Sequence, residues 1–185
     1  MMPKLKKRID FLAEYLKNFK LVGSITPSSK FLVSKISNKI DFQNAEVIVE
    51  LGPGDGCITR MLINKKKSSS KLLLVEKNEI FFRKLKNMSE EDVELFRGNA
   101  INLDKFLAGQ KADCIVSSLP FSSMKKPVRI KMLEKISSSL NQDGQLVLYQ
   151  YTTLIREFLE ENFSEIKTSF EPRNVPPAFV FSCRK

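Results

Sequence analysis

The stretch "VIVELGPGDGCITRML" (residues 47–62) decides the fold of this 185-residue chain. A short apolar run containing Glu50 leads into Gly52, Gly54 and Gly56, and an apolar pattern with helical spacing follows. A glycine loop between a buried strand and a helix is typical of nucleotide binding, because glycine allows positive φ and a close approach of backbone to ligand. The loop lacks the Lys-Ser/Thr of a P-loop, so we do not expect triphosphate chemistry, and its GxGxG spacing departs from GxGxxG.

Strand and helix patterns alternate along the rest of the chain, which predicts an α/β fold. The predicted strands cover 46–52, 71–77, 93–98, 112–118 and 145–151, and the predicted helices cover 57–64, 79–88, 125–140 (stopping near Asp143-Gly144) and 154–163. "EIKTSF" and "PAFVFSCRK" add two C-terminal strands that we expect to be antiparallel. The pattern indicates one Rossmann-like domain with a seven-stranded, mostly parallel sheet, helices on both faces and a C-terminal hairpin.

The N-terminal segment is basic and amphipathic. Residues 1–39 hold seven of the chain's ten net positive charges. Apolar residues recur there at helical spacing: Leu5, Ile9, Leu12, Leu16 and Phe19. We therefore predict an N-terminal helical segment over 1–40, with a second short helix capped at Ser28 or Ser29, and a ligand-binding domain over 41–185. Such a positive field favours a polyanionic partner, either an anionic membrane face or nucleic acid.

Composition removes several classes of function. The chain has no histidine, and its three cysteines are scattered, so we expect no metal site and no disulfide scaffold. No apolar run approaches the roughly 20 residues that span a bilayer, and no continuous apolar stretch follows the basic N-terminus as in a signal peptide. These features predict a cytoplasmic protein, which could associate peripherally with the inner face of the membrane.

The second predicted strand ends in an acid, Glu76, 24 residues after Gly52. A carboxylate at this place accepts hydrogen bonds from ribose hydroxyls in dinucleotide-binding folds. On these features alone, NAD and S-adenosylmethionine compete as the ligand.

The segments "VELGPGDGCITRML", "LLVEKN" and "GNA" together resemble motif I, motif II and the following loop of class I S-adenosylmethionine-dependent methyltransferases. By this resemblance the glycines wrap the methionine part of S-adenosylmethionine, Glu50 lies near its amino group and Glu76 binds the ribose. Asn99 with Ala100 contacts the adenine, although many relatives have Asp in place of Asn99. The cofactor-binding set implied in this way is Glu50, Gly52, Gly54, Gly56, Glu76, Asn99, Ala100 and Ser117.

Two branches of that class share the "ELGPGxG" loop: the ribosomal RNA adenine dimethylases and the bacterial phospholipid N-methyltransferases of the Rhodobacter type, which act on phosphatidylethanolamine. Base-methylating enzymes carry (Asn/Asp/Ser)-x-Pro-(Tyr/Phe) after the fourth strand, where the first residue and a backbone carbonyl orient the amine and the aromatic stacks on the base. Ser118-Leu119-Pro120-Phe121 fills these places, without the Asn usual in the dimethylases.

The segment "SSLPFSSM" (117–124) is also similar to the "SGLP…SM" segment of the phospholipid enzymes. The flanks "NFKLVGSITPSSKFL" (18–32), "LVLYQYT" (146–152) and "NVPPAFVFSCRK" (174–185) resemble the same branch. The resemblance therefore implies N-methylation of phosphatidylethanolamine at an anionic membrane surface.

Substrate-side candidates follow from this interpretation. Tyr149 and Tyr151 alternate with Gln150, so their side chains share one face of a strand. We predict that Phe121, Tyr149 and Tyr151 line an amine pocket, where aromatic faces stabilise a methylated ammonium. Ser118, Leu119 and Pro120 would orient the substrate, and Arg173 with Asn174 would receive the lipid phosphate.

Three alternatives stay open at this point. The chain could be a ribosomal RNA adenine N6-methyltransferase with RNA as its partner. It could act on another amine lipid or on a quinone-like small molecule. It could also be a non-catalytic membrane- or nucleic-acid-binding protein with a relict cofactor fold.

Overall fold

The computed structural model describes residues 28–88 and 92–185. The amphipathic helix predicted from Leu5 to Phe19 lies outside these residues. Among the described residues, no helix is both long enough and apolar enough to cross a membrane.

Seven strands within the described residues form one sheet. They are β1 (Val47–Leu51), β2 (Lys71–Glu76), β3 (Val93–Arg97), β4 (Ala112–Ser117), β5 (Leu140–Gln150), β6 (Glu165–Glu171) and β7 (Ala178–Arg184). The order across the sheet is β3-β2-β1-β4-β5-β7-β6. Strands β1 to β5 are parallel to their neighbours, and β7 is antiparallel to both β5 and β6. The predicted α/β sheet with an antiparallel C-terminal hairpin is confirmed.

Helices cover both faces of the sheet. They are α1 (Lys30–Ser37), α2 (Cys57–Lys65), α3 (Glu79–Leu85), α4 (Leu103–Leu107), α5 (Lys126–Ser139) and α6 (Arg156–Glu160). Single 3₁₀ turns follow at Lys86–Met88, Ala100–Asn102 and Phe121–Ser123. The Ser29 hydroxyl accepts a hydrogen bond from the Leu32 N–H at 3.2 Å, so Ser29 is the cap of α1, one of the two residues proposed from the sequence.

The strand alternation divides the core into two layers. On β1, Val49 and Leu51 pack with residues of α4, α5 and α6 on one face, whereas Ile48 packs with residues of α1 and α2 on the other. All three of these β1 side chains are fully buried. Each such burial is worth roughly 1.5–3 kcal/mol, which holds the strand rigidly under the glycine loop that follows it.

Two predicted boundaries were wrong. Helix α5 ends at Ser139 and β5 begins at once at Leu140, so the turn signal at Asp143-Gly144 lies inside a strand. The pairing of β4 with β5 is irregular between Ala112 and Cys114, and such a bulge accommodates turn residues within a ladder. The helix predicted over 154–163 is reduced to the five residues of α6.

Candidate active site

A cleft with a volume of about 470 Å³ opens at the carboxyl ends of the parallel strands. Its walls come from the loops after β1, β2, β4 and β5 and from the turn between β6 and β7. This is the edge at which open α/β sheets bind ligands, because the loops converge there.

The glycine loop after β1 forms one wall. Gly52, Gly54 and Gly56 have φ angles of 71°, 58° and 79°, a region that other residues rarely adopt. A Cβ atom built on Gly54 would meet no atom within 4 Å, so this glycine faces open space in the cleft that it lines. The loop therefore offers bare backbone to a ligand.

Glu50 lies beneath this loop and is fully buried. Its Oε2 accepts a hydrogen bond from the Thr59 hydroxyl at 2.7 Å, while its Oε1 is buried without a hydrogen-bond partner. Burial raises the pKa of the Glu50 carboxyl to about 8; the Thr59 hydrogen bond lowers it, and the charges of Glu76 and Asp55 raise it further. An unpartnered buried carboxyl oxygen suits a cationic group such as an amino group.

Glu76 ends β2 and connects two loops. Its Oε2 accepts from the Gly54 N–H at 3.1 Å, and its Oε1 accepts from the Asn78 N–H at 2.6 Å. A carboxylate has about four acceptor positions, so Glu76 retains capacity for ribose hydroxyls. Asn78 also lines the cleft; it is the last residue of the "LLVEKN" segment, but no role was predicted for it from the sequence.

Of the eight predicted cofactor residues, Gly52 and Gly54 line the cleft, whereas Glu50, Gly56, Glu76, Asn99, Ala100 and Ser117 do not. Asn99 is exposed, and its Oδ1 accepts from the Ile101 N–H at 3.2 Å, so it caps the 3₁₀ turn after β3. Ala100 is buried in the core. Ser117 is fully buried, and its hydroxyl accepts from the Leu119 N–H at 3.3 Å.

The loop after β4 forms the opposite wall. Ser118, Leu119 and Pro120 line the cleft, as predicted from their position in the motif. Phe121 does not: its ring is fully buried in the core, where it packs among the apolar residues below α5. The prediction that this ring faces the amine is corrected by the structure, because a large apolar ring gains more from full burial in the core than from a partly solvated position at the rim of a cleft.

Gln150, at the end of β5, holds this loop in place. Its Nε2 donates to the Leu119 carbonyl at 2.8 Å and to the Tyr149 carbonyl at 2.6 Å, and its Oε1 accepts from the Ser122 N–H at 3.4 Å. The Leu119 carbonyl also accepts from the Phe121 N–H at 2.9 Å, so both of its lone pairs are engaged. The carbonyl expected to orient the amine is therefore occupied. The available signal for Gln150 was an amide at the end of the apolar run 146–149.

The Gln150→Ala variant should lose both stability and turnover, because it frees the loop after β4, which carries Ser118. We expect the free energy of unfolding to fall by about 1–3 kcal/mol and KM for the methyl acceptor to rise about tenfold. Gln145 provides a matched control: it is buried on the same strand and makes three similar hydrogen bonds, to Lys39, Ser182 and Asp41, at the far edge of the sheet. Gln145→Ala should lose comparable stability with unchanged KM. Equal effects of the two variants on KM would contradict the role of Gln150.

Two tyrosines complete the cleft. The Tyr149 and Tyr151 rings lie on the same side of β5, with centroids 6.0 Å apart and planes at 74°, and both line the cleft. Burial raises the pKa of the Tyr149 hydroxyl, hydrogen bonds with Ser28, Ser118 and Tyr151 lower it, and the charge of Asp55 raises it. Tyr149 therefore stays protonated at neutral pH and serves as a hydrogen-bonding group rather than as a phenolate.

The charged residues of the cleft are few. Among the described residues that line it, Asp55 is the one carboxylate and Lys84 the one cation. Asp55 belongs to the quoted glycine loop, but the sequence analysis gave it no role. Its position within "GPGDG" was the available signal.

The predicted phosphate-binding pair does not reach the cleft. The Arg173 Nε and Nη2 bind the carboxylate of buried Glu171 at 2.8 and 3.2 Å, and its guanidinium lies 4.0 Å from the centroid of Phe31. Asn174 is buried and structural: its Oδ1 accepts from the Ser29 N–H and its Nδ2 donates to the Pro176 carbonyl. This corrects the prediction for Asn174, because both polar ends of its amide are already used.

Taken together, the 3-2-1-4-5-7-6 sheet, the glycine loop, the buried acid below it and the acid that ends β2 define a class I methyltransferase. The residues present fit S-adenosylmethionine: bare backbone at Gly54, an unpartnered oxygen on Glu50 and acceptor capacity on Glu76.

Comparison with known families agrees with this class. The family model described as "Methyltransferase small domain" matches residues 22–174, so the chain belongs to this family. The protein is an S-adenosylmethionine-dependent methyltransferase.

Individual relatives fall into two groups. The chain is 28% identical to the ornithine lipid N-methyltransferase of Singulisphaera acidiphila, with 94% of each chain covered. It is 23% identical to the ribosomal RNA small subunit methyltransferase A of Pelagibacter ubique, covering 82% of this chain and 58% of that one. Among solved structures, the N-methyltransferase NodS of Bradyrhizobium japonicum superposes with a TM-score of 0.68 at 12% identity, covering 84% and 96% of the two chains.

Proposed function

We propose that the protein transfers a methyl group to the primary amine of a membrane lipid head group, with phosphatidylethanolamine and ornithine lipid as the two candidate acceptors. The observation that carries this proposal is the burial of the Phe121 ring. In base-methylating enzymes the aromatic at this position stacks on the base, and here that ring is inside the core. The loop instead presents Ser118, Leu119 and Pro120, a wall suited to a small amine on an apolar chain.

The relatives support the same acceptor. The lipid methyltransferase of Singulisphaera acidiphila matches the chain over nearly its whole length in both directions. The match covers 38% to 58% of the length of the ribosomal RNA methyltransferases that the chain resembles. The similarity to the lipid methyltransferase therefore covers more of this chain and more of the relative than the similarity to the ribosomal RNA enzymes does.

The cofactor, when bound, supplies an electrophilic methyl group on a sulfonium. The glycine loop, Glu50 and Glu76 would hold it, and the loop after β4 would hold the acceptor opposite. Ser118, Tyr149 and Tyr151 offer hydroxyl groups to the amine, and the two rings offer faces that stabilise an alkylated ammonium.

An ammonium must lose a proton before its nitrogen can attack. The chain has no histidine, and Tyr149 is held protonated by its raised pKa. Asp55 is the carboxylate among the described lining residues, and it lies close enough for its charge to raise the pKa of Tyr149. We propose Asp55 as the proton acceptor because its carboxylate lines the cleft; its Oδ1 accepts from the Cys57 N–H at 3.2 Å and its Oδ2 from the Cys57 thiol at 3.3 Å, and each oxygen keeps a second acceptor position.

Substitution of the tyrosines separates their hydroxyls from their rings. Tyr149→Phe should lower kcat about tenfold or more, because it removes a buried hydrogen-bonding hydroxyl while leaving the fold intact. Tyr151→Phe should have a smaller effect, whereas Tyr151→Leu, which removes the ring, should slow addition to an already methylated amine most. Cofactor affinity, measured in parallel, should not change in any of the three. If kcat were unchanged in both Tyr149→Phe and Tyr151→Leu, the two tyrosines would have no role in binding or orienting the amine.

The proposed function is tested by offering purified protein and S-adenosylmethionine dispersed phosphatidylethanolamine or ornithine lipid in detergent micelles, and analysing the lipids by mass spectrometry. A gain of one or more methyl groups on either head group is the expected result. If neither lipid gained mass while the protein still bound the cofactor, the proposed function would be contradicted.

A further inference from the structure

We infer that the edge of the sheet at which the cleft opens is a membrane-docking face, and that it binds an anionic lipid surface through exposed apolar side chains interleaved with lysines. This inference rests on the proposed function and adds to it the surface by which the enzyme reaches its acceptor. It concerns the described residues and does not depend on the basic segment 1–27.

The first observation is where the exposed apolar residues lie. The large apolar side chains exposed in the described part of the chain are Ile80, Val128, Leu154, Phe170 and Val175. Every one of them lies in the half of the fold near the carboxyl ends of the parallel strands: in the first turns of α3 and α5, after β5, at the end of β6 and in the β6–β7 turn. Their exposed fractions run from 47% to 69%. Exposed large apolar side chains that all lie toward one edge of the sheet favour an interaction surface at that edge.

The second observation is the charge of the same edge. Lys84, Lys125 and Lys126 are exposed there, and none of them has a carboxylate oxygen of the described residues within 4.0 Å. At the opposite edge, Lys66 pairs with Asp92 and Lys67 pairs with Glu46, whereas the exposed Lys65, Lys71 and Lys111 have no carboxylate partner among the described residues. The cleft edge thus combines apolar side chains with unneutralised positive charge.

The combination of exposed apolar side chains and lysines favours a lipid surface over RNA as the partner. Lysines alone would suit RNA phosphates equally well. Exposed aliphatic side chains gain free energy only where they can leave water, which the boundary between head groups and acyl chains provides. Docking by this edge would place the mouth of the cleft against the head groups, so that an amine lipid could enter without crossing water.

The test uses the full chain, which contains no tryptophan. Leu154→Trp and Val175→Trp each place a single fluorophore on the docking face, and Lys71→Trp places one at the first residue of β2 on the opposite edge. Vesicles of phosphatidylglycerol and phosphatidylcholine are added, which carry negative charge but no amine acceptor. We expect a blue shift of the emission for the two docking-face probes and none for Lys71→Trp. No shift at either docking-face probe, or an equal shift at Lys71→Trp, would overturn the inference, as would a shift produced by RNA and not by vesicles.

Charge reversal provides a second, independent measurement. Lys125→Glu/Lys126→Glu should bind these vesicles at least about tenfold more weakly than wild type in sedimentation at low salt, since each basic side chain near an anionic surface contributes roughly a factor of five. The variant should fold normally, because acidic residues in the first turn of α5 favour the helix. Lys65→Glu/Lys71→Glu has the same net charge with both changes at the opposite edge, and should lose markedly less binding. Equal losses would contradict a specific docking face.

The experiments distinguish a wrong docking face from a wrong methyl acceptor. If the docking variants bind vesicles normally but the protein still methylates dispersed amine lipid in micelles, the proposed function stands and the docking face is wrong. If the docking-face probes insert but no lipid is methylated, the docking face stands and the proposed acceptor is wrong.

Discussion

Replacement of Glu50 by glutamine should weaken binding of S-adenosylmethionine about 100-fold while making the ligand-free protein more stable at pH 8. The carboxyl is fully buried, and one of its oxygens has no hydrogen-bond partner. We propose that this carboxyl ionises when the cofactor binds and that its charge then balances the cofactor's amino group. Removing one partner of a buried charge pair typically costs 3 kcal/mol or more. Titration calorimetry of the two proteins measures the difference directly.

The stability effect has a defined pH dependence. Burial raises the pKa of Glu50 from 4.5 to about 8. Between these values the unfolded chain has released the proton and the folded protein keeps it, so the wild type loses roughly 1.4 kcal/mol per pH unit as pH rises through this interval. The Glu50→Gln variant lacks this loss, and its advantage in thermal unfolding should therefore grow from pH 5 to pH 8.

Glu46→Gln is the control for both measurements. Glu46 is exposed one residue before β1 and pairs with Lys67, and the hydrogen bond from Lys67 lowers its pKa. This variant should bind the cofactor normally and should gain no stability at high pH. A Glu50→Gln protein that binds the cofactor like wild type would show that the buried carboxyl has no part in the site.

Replacement of Gly54 by alanine is the second change with a large expected effect, because it adds a methyl group to the bare wall of the cleft. Gly54 has a φ of 58°, so alanine there is strained by about 1–2 kcal/mol. No atom lies within 4 Å of the added Cβ, so the ligand-free protein should still fold. The methyl group would occupy space that the cofactor needs, and we expect at least about tenfold to 100-fold weaker cofactor binding.

Gly109 provides a matched control for the Gly54→Ala variant. It has a φ of 87°, and a Cβ built on it also meets no atom within 4 Å, but it lies in the turn after α4 and does not line the cleft. Gly109→Ala should therefore lose similar stability in thermal unfolding and keep full cofactor affinity. If the two variants bound S-adenosylmethionine equally well, the glycine loop would not be the cofactor wall.

The fold could be predicted from the sequence because its signals are local. The runs that form β1 and β2 are short, apolar and bounded by turn residues, and Ser29 stands where a helix cap is required. The boundary between α5 and β5 could not be predicted in this way. The turn residues Asp143 and Gly144 lie in a bulged strand, and only the pairing with β4 reveals that.

The site was predicted in part, and the errors have a common cause. The glycine loop and Glu76 follow from a motif, whereas the direction of a side chain depends on packing that no motif records. The Phe121 ring is buried in the core, and both polar atoms of the Asn174 amide are hydrogen-bonded to backbone groups. Gln150 was overlooked between two tyrosines, although its amide determines where the loop after β4 lies.

We propose a lipid amine as the methyl acceptor. The most direct measurement offers methyl-labelled S-adenosylmethionine to the protein in one reaction containing vesicles with phosphatidylethanolamine and ornithine lipid together with naked ribosomal RNA, followed by separation of the organic and aqueous phases. We expect label in the lipid fraction and little in the RNA. The Glu50→Gln and Gly54→Ala variants should transfer much less label to the lipids. Label in the RNA and none in the lipids would contradict it, and would mean that the loop from Ser118 to Phe121 recognises a base.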